Sequence, residues 1–179
     1  MSNLIFVGGI HGVGKTTICN ELTKYFNIDL YSASNIIAQT KQQSFTSNKF
    51  IADINSNQEF LAEGLKQINS KNKYGLLDGH FCLLNKGGKI TKLSDKVFSD
   101  IRPLAFIVVT DDILKISTRL QKRDNKKYDL DFLDNFQIEE IAHATSIANQ
   151  FSTSLYIFNN SNDILINLIH FITNLGVMN

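Results

Sequence analysis

The sequence contains few of the residues that form disulfide frameworks in secreted proteins or that bind structural zinc. Among its 179 residues there are no tryptophans, one proline and two cysteines. Cys19 and Cys82 belong to no CxxC or His-rich pattern, which argues against a disulfide framework and against a structural zinc site. We therefore expect a protein of a reducing, cytoplasmic environment.

Neither sign of charge is in excess, and no apolar run is long. The 18 basic and 17 acidic residues leave a formal net charge of +1, so charge gives no reason to expect nucleic acid or a membrane surface as a partner. The first apolar run, LIFVG, is too short for a signal peptide and lacks a basic flank, and the run at 164–178 is interrupted by polar residues. We expect no membrane-spanning segment and a single domain over residues 1–179, present as a monomer or a homodimer.

Glycine is also sparse, but three of the ten glycines fall in one segment, GIHGVGKT at 9–16, which has the form GxxxxGK[ST]. Such a loop binds the phosphate chain of a nucleotide, because glycines let backbone N–H groups approach it and a lysine adds positive charge. We predict that Lys15 binds phosphate and that Thr16 is a magnesium ligand. The predicted nucleotide-binding residues are Gly9, His11, Gly12, Val13, Gly14, Lys15, Thr16 and Thr17. His11 is included as part of the loop, without a chemical role of its own.

The segments on either side of this loop argue against a chance match. The run LIFVG, typical of a strand, precedes it, and the stretch that follows has Ile18, Leu22 and Phe26 at helical spacing. A strand, a loop and a helix in this order are what the motif requires, because the N-terminus of the helix attracts the bound anion.

The rest of the chain alternates between short β-rich runs and longer helical patterns, which predicts a parallel sheet covered by helices on both faces. The predicted strands are 4–8, 28–31, 74–77, 104–110 and 155–158. The predicted helices are 15–26, 34–42, 57–70, 94–101, 112–123, 130–151 and 162–175. The polar stretches at 40–49 and 85–89 are predicted to be exposed loops near the ligand.

Asp78 ends an apolar run, YGLLDGH, where a ligand is expected in such a sheet. A carboxylate at this position binds magnesium, directly or through water, or accepts a proton from a substrate hydroxyl. The alternative is an aspartate that caps the following turn. His80, two residues further on, is a candidate for the acceptor pocket, although a lone histidine is as often a structural hydrogen-bonding residue.

Two of the three arginines, Arg119 and Arg123, lie four residues apart at the end of a predicted helix. Guanidinium groups suit a transferring phosphoryl group, whose charge is spread over its oxygens, and we predict a catalytic role for both. The alternative is a solvated basic helix end that offsets the dipole of its own helix.

The segments GIHGVGKT, LYSASNII at 30–37, LLDGH at 76–80 and RLQKRD at 119–124 resemble, in order and spacing, the adenylate-kinase-like branch of small P-loop kinases, especially the compact archaeal type. The resemblance covers nearly the whole chain. It implies a three-layer α/β/α P-loop NTPase fold whose five parallel strands lie in the order 2-3-1-4-5, with ATP and Mg²⁺ as cofactors. It also implies an acceptor-binding flap at about 35–70 and a short lid at about 124–129. The candidate acceptor-binding residues are Ser34, Asn35, Lys49, Gln58 and His80.

The acceptor region departs from that family's pattern. Ala38 stands where adenylate kinases usually present an arginine to the acceptor phosphate, and the sequence has no arginine before Arg102. Lys41 and Lys49 are the possible substitutes, but lysine does not reproduce a bidentate fork. The acceptor is therefore either a nucleoside monophosphate or a nucleoside, sugar-like or other hydroxyl metabolite, and the second case makes Asp78 the candidate base.

The mechanism expected from these residues is in-line transfer of the γ-phosphoryl group of Mg-ATP to a small-molecule acceptor. Lys15 and the loop bind phosphate, Thr16 holds magnesium, Asp78 orients the water shell of the magnesium or the acceptor, and Arg119 and Arg123 stabilise the transferring charge. The rival hypothesis is a nucleotide-dependent switch or regulatory ATPase that acts on a macromolecular partner. A third reading, an inert domain that merely retains the loop, has the least support.

Overall fold

The computed structural model of the chain describes residues 3–45, 54–68 and 70–178. Its strands are β1 (Leu4–Gly8), β2 (Asp29–Ser32), β3 (Gly75–Asp78), β4 (Cys82–Leu84), β5 (Ile90–Lys92), β6 (Ala105–Thr110) and β7 (Ser154–Asn159). Its helices are α1 (Lys15–Tyr25), α2 (Ala33–Phe45), α3 (Ile54–Gln67), α4 (Asp95–Ile101), α5 (Ile113–Asp124), α6 (Leu130–Gln150) and α7 (Leu165–Asn174).

Five of the strands form one parallel sheet in the order β2-β3-β1-β6-β7. Counted among these five strands alone, this is the predicted order 2-3-1-4-5. The central strand β1 is buried along its whole length, which explains why LIFVG lacks the polar alternation of a half-exposed strand.

The two faces of the sheet carry two separate apolar clusters. Ile5 and Val7 of β1 pack in one cluster with residues of α1, α5 and α7, whereas Leu4 and Phe6 pack in the other with residues of α2, α3 and α4. The long helix α6 contributes residues to both clusters. Successive side chains of a strand point to opposite faces, so a wholly apolar strand requires helices on both sides. The predicted three-layer fold is confirmed.

Two parts of the predicted secondary structure are wrong. The polar stretch predicted as a loop from residue 40 continues α2 as far as Phe45, and its residues 46–49 lie outside the described residues. The antiparallel hairpin of β4 and β5 was not predicted, because strands of three residues are too short to show a period. The stretch at 85–89, predicted as a loop, is the connection within that hairpin.

The other boundaries move by one to three residues. The helix predicted at 57–70 is α3, which begins three residues earlier, and the one predicted at 162–175 is α7. The strand predicted at 74–77 ends one residue later, at Asp78. Among the described residues, no helix is both long and apolar enough to cross a membrane.

Candidate functional site

The loop between β1 and α1 has the backbone geometry of an anion cradle. Gly9 and Gly14 have φ angles of 139° and 98°, which side chains disfavour, and a Cβ atom on Gly9 would lie 2.4 Å from the carbonyl oxygen of Val109. Gly14 is also the N-cap of α1, and no side chain caps this helix end. The first turn of α1 contains no acidic residue, so its N–H groups and its dipole are free of a competing carboxylate.

Lys15 is buried within this cradle. Its Nζ atom donates hydrogen bonds to the carbonyl oxygens of Gly9, at 2.7 Å, and of Ile10, at 3.5 Å. Burial lowers the pKa of Lys15, while Asp78 and Glu140 act in the opposite direction. The ammonium group is thus held on the loop itself.

Thr16 and Asp78 meet at the edge of the sheet. The hydroxyl Oγ1 of Thr16 donates a hydrogen bond to Oδ2 of Asp78 over 3.2 Å, although the two residues come from α1 and β3. Oxygen donors of this kind suit Mg²⁺, which takes few protein ligands and completes its shell with water and phosphate. Among the described residues, no group of three or more His, Cys, Asp or Glu side chains forms a metal cluster.

His80 and His11 come together beside Lys15. Their ring centroids are 4.4 Å apart, and the Nδ1 atom of His80 is buried with no hydrogen-bond partner among the described residues. Burial and the charge of Lys15 lower the pKa of both rings, with Arg123 adding to the effect on His11 and His11 to the effect on His80. At neutral pH both rings are therefore neutral, which leaves one ring nitrogen of each as a hydrogen-bond acceptor.

Arg119 lies against the opposite side of the loop. Its Nη1 atom is 2.6 Å from Oδ2 of Asp111 and donates to the carbonyl oxygen of Gly12 at 2.9 Å. Asn160 donates to the carbonyl oxygen of Val13 at 3.1 Å and to Asp111 at 3.3 Å. Arg119 and Asn160 together attach the loop to Asp111, which follows β6.

Asp111 is a buried carboxylate. Burial by itself raises its pKa, but hydrogen bonds from Ser161 and Arg119 outweigh this and hold the pKa of Asp111 below its usual value. Neither Asp111 nor Asn160 was predicted to belong to the site. Both follow strands at the edge of the sheet that carries Asp78. Ligands of a parallel sheet bind at the carboxyl ends of its strands, so the argument that identified Asp78 applies to Asp111 and Asn160 as well.

Arg123 has a different neighbourhood from Arg119. Its guanidinium group forms two hydrogen bonds with the adjacent Asp124, from Nε at 2.6 Å and from Nη2 at 2.8 Å. Tyr128 also donates to Asp124, which ties the predicted lid segment at about 124–129 back to the end of α5. These bonds lower the pKa of Asp124 to about 2. Because a guanidinium has five N–H groups, Arg123 has further donors besides the two that bind Asp124.

The predicted acceptor-binding residues lie mainly on the α2 and α3 side. Ser34 shares a hydrogen bond with Ser32 at 2.9 Å, Asn35 is exposed, and Gln58 accepts a hydrogen bond from Ser94 at 2.8 Å. The neighbouring Asn57 has a buried Oδ1 atom with no hydrogen-bond partner among the described residues. Lys49 lies outside the described residues.

One buried residue of the site carries no signal in the sequence. Glu140 is completely buried in the middle of α6, and its carboxylate accepts hydrogen bonds from the backbone N–H groups of Gly9, Phe81 and Cys82. Gln137, one turn earlier on α6, binds both the N–H and the carbonyl group of Asp111 at 3.0 Å. A glutamate in a helix is usually a solvated residue, so only the packed structure reveals this contact.

The comparisons with known proteins agree with this geometry. A family model described as an AAA domain matches residues 8–137, which include the loop, Asp78 and both arginines of α5. The chain belongs to the AAA domain family. A search of curated protein sequences finds no match for this AAA domain.

Solved structures share the fold of this AAA domain at low identity. An uncharacterized protein from Eubacterium ventriosum ATCC 27560 has a TM-score of 0.52 at 12% identity, over 98% of this chain and 99% of that one. A sugar kinase from Janibacter sp. HTCC2649 has a TM-score of 0.55 at 13% identity, over 99% and 96%. A gluconokinase from Sinorhizobium meliloti 1021 has a TM-score of 0.50 at 12% identity, over 97% and 91%. These likenesses show the fold, and they do not confirm the narrower resemblance to adenylate kinases, which stays a prediction.

Proposed function

We propose that the chain is an ATP-dependent phosphotransferase that moves the γ-phosphoryl group of Mg-ATP to a hydroxyl group of a small acceptor. The observation that carries the proposal is the hydrogen bond between Thr16 and Asp78 beside the Lys15 loop. It brings a phosphate cradle and two oxygen ligands together at the edge of the sheet where ligands bind. The names of the sugar kinase and the gluconokinase that share the fold support this reading.

The residues of the site divide the work of the transfer. Lys15 and the N–H groups of the loop bind the β and γ phosphates, while Thr16 and Asp78 hold the cation. When bound, Mg²⁺ neutralises phosphate charge. Asp78 is also close enough to the cradle to orient the acceptor hydroxyl or to accept its proton. Arg119 holds the conformation of the loop through Gly12, and Arg123 supplies charge to the transferring group.

Among the acceptors, we favour a neutral hydroxyl metabolite over a nucleoside monophosphate. The described candidate side chains on the acceptor side, Ser34, Asn35, Gln58 and His80, are polar and uncharged, while Lys49 lies outside the described residues. Burial and the nearby Lys15 keep the pKa of His80 well below 6.5. Ala38 stands in the place of a phosphate-binding arginine, and both arginines of α5 already have carboxylate partners. A phosphate dianion binds poorly to such a surface, whereas hydroxyl groups find donors and acceptors there.

A nucleotide-dependent switch is the second candidate. Ser34 and Gln58 already form hydrogen bonds within the protein, so part of the proposed acceptor surface is occupied by its own contacts. A switch is expected to show slow basal hydrolysis that a macromolecular partner changes, whereas a kinase is stimulated by one small molecule.

The test is ADP production from Mg-ATP with AMP, other monophosphates, nucleosides and small polyols as acceptors. Strong stimulation by a polyol or nucleoside supports the proposal, and stimulation by AMP alone makes the protein an adenylate kinase.

Lys15→Ala is expected to lower kcat by at least about 100-fold with the fold retained, because it removes a preorganised cation from the cradle. Lys24→Ala, at the exposed end of the same helix, is the matched control. Full activity of Lys15→Ala would show that the site does not work as proposed.

A further inference from the structure

The completely buried carboxylate of Glu140 has an unusual set of partners. Its Oε1 atom accepts hydrogen bonds from the N–H groups of Gly9, at 2.8 Å, and Phe81, at 2.9 Å, and its Oε2 atom accepts one from Cys82 at 2.6 Å. A buried carboxylate is costly unless hydrogen bonds replace its water. Three backbone donors converge on this one group.

The three donors belong to the two chain segments that form the proposed active site. Gly9 begins the phosphate-binding loop, and its carbonyl oxygen accepts the hydrogen bond of Lys15. Phe81 and Cys82 follow Asp78, Gly79 and His80 directly. The carboxylate therefore joins the loop that carries Lys15 to the segment that carries Asp78. The strands β1 and β3 are themselves paired in parallel, with Val7 opposite Asp78, and the N–H group of Gly79 donates to the carbonyl oxygen of Val7 at 2.9 Å. Glu140 therefore acts on the segments beyond the ends of these strands.

Two neighbours on α6 make contacts of the same kind. Gln137 binds the backbone of Asp111 after β6, and Nε2 of His143 is 2.8 Å from the carbonyl oxygen of Leu93 after β5. Residues spaced three apart lie side by side on a helix, so Gln137, Glu140 and His143 form one row. This row holds the backbone that follows β1, β3, β5 and β6. Within it, only Glu140 contacts the phosphate-binding loop and the Asp78 segment together.

We propose that Glu140 is a positioning residue that sets the distance between the Lys15 loop and Asp78. The inference rests on the proposed function only in assuming that this site turns over Mg-ATP. A carboxylate offers acceptors to all three N–H groups. Burial raises the pKa of Glu140, and the three backbone hydrogen bonds and Lys15 act in the opposite direction. Glutamine has a single acceptor oxygen, and its NH₂ group would face at least one of the three donors. The segments would then separate, although no group that touches the nucleotide has changed.

The direct test is hydrogen exchange of the backbone amides in Glu140→Gln. The amides of Gly9, Phe81 and Cys82 are expected to exchange at least about 10-fold faster, while those in the middle of β6 are unchanged. In the same variant kcat is expected to fall by roughly 10- to 100-fold with little change in the KM for ATP, because alignment is lost rather than binding. Turnover is measured with a stimulating acceptor if the screen finds one, and as basal ATP hydrolysis if it does not.

Ile147→Ala is the matched control, since this fully buried core residue lies two turns further along the same helix. Its side chain is apolar, so the substitution lowers stability through packing and removes no hydrogen bond to either segment. Each protein is assayed at a temperature at which near-ultraviolet circular dichroism shows it to be folded. A kcat of folded Glu140→Gln equal to that of Ile147→Ala would show that the carboxylate only stabilises the protein. Unchanged exchange at the three amides would overturn the proposal as well.

Two other results need their own measurements: a Glu140→Gln variant that does not fold, and a wild type that no acceptor stimulates. If Glu140→Gln does not fold, exchange is measured in the wild type, where the three amides must open together with one free energy, and unequal opening would overturn the link. If no acceptor stimulates ADP production by the wild type, the proposed function fails. The amide exchange and the basal hydrolysis of Glu140→Gln then decide the role of Glu140 on their own.

Discussion

At the scale of single residues, Asp78 has two possible roles that its position alone does not separate. Its carboxylate accepts the Thr16 hydroxyl at 3.2 Å and lies beside the phosphate-binding loop. A ligand of the magnesium shell and a group that orients or deprotonates the acceptor hydroxyl both require an oxygen at this point. The two roles respond differently to the concentration of the metal.

The substitution Asp78→Asn keeps the size of the side chain and removes its charge. We expect kcat to fall by about 100-fold at low Mg²⁺ concentration. If Asp78 belongs to the magnesium shell, an excess of Mg²⁺ restores much of the activity, because the defect is weak metal binding. If Asp78 acts on the acceptor, added Mg²⁺ restores nothing. Steady-state assays over a Mg²⁺ series distinguish the two.

Asp100→Asn is the control for this series, since Asp100 is paired with Lys96 on the exposed part of α4. It is expected to behave as the wild type at every Mg²⁺ concentration. Wild-type activity of Asp78→Asn throughout the series would contradict both roles.

At the scale of elements, α2 and α3 cross closely at Gly64. A Cβ atom there would lie 2.4 Å from Cγ2 of Ile36 and 2.4 Å from Oγ1 of Thr40. Ile36 and Thr40 are both buried, and Thr40 already donates to the carbonyl oxygen of Ile36 at 2.8 Å. The neighbouring side chains therefore have little room to move, and the two helices of the proposed acceptor flap depend on this glycine for their separation.

Gly64→Ala is expected to lower the free energy of unfolding by about 1–3 kcal/mol, because overpacking outweighs the better helix propensity of alanine. The KM for the acceptor rises as α2 and α3 move apart, while the KM for ATP, set by the loop and α1, stays the same. Urea denaturation and steady-state kinetics measure the two effects. Gly87→Ala serves as the control, because its Cβ meets only Asn85 Oδ1 at 3.4 Å. Unchanged stability of Gly64→Ala would refute the close crossing.

At the scale of the whole molecule, Asp29 links the start of β2 to the turn before β3. It accepts the N–H groups of Lys71 and Asn72, the side-chain amide of Asn72 and the hydroxyl of Tyr31, over 2.9 to 3.0 Å. Burial is the largest single influence and raises the pKa of Asp29, but the hydrogen bonds from Asn72, Tyr31 and Lys71 together outweigh it and hold the pKa below its usual value. The charged form of Asp29 therefore stabilises the folded state.

The resulting pH dependence has a definite sign. Because the pKa of Asp29 is lower in the folded than in the unfolded chain, its contribution is complete above the unfolded value of about 3.9 and is lost as the pH falls through the folded value. We expect Asp29→Asn to lower the free energy of unfolding by about 1–2 kcal/mol at pH 7. The difference from the wild type shrinks towards pH 3, as urea denaturation at the two pH values will show. Asp134→Asn, exposed on α6, is the control, and a difference that grows towards pH 3 would reverse the inference.

Much of the fold and part of the site can be predicted from local patterns. The geometry of the loop GIHGVGKT can be predicted from its sequence, because the positive φ angles, the following helix and the lysine all depend on consecutive residues. The same holds for the buried strands β1 and β6, whose continuous apolar runs require cover on both faces. Asp78 was identified because it ends such a run. The hairpin of β4 and β5 was not, since its short strands depend on pairing with each other.

The sequence by itself thus determined the phosphate-binding loop, the parallel sheet and the edge at which Asp78 lies, because each follows from residues close together in the chain. Only the tertiary structure decided the partners of the charged groups. It paired Arg119 with Asp111, and it brought Glu140 to the backbone of Gly9, 131 positions away. The physical reason is that a buried charge is stable only where the fold brings donors or opposite charges to it, and no local pattern records which distant segments those are.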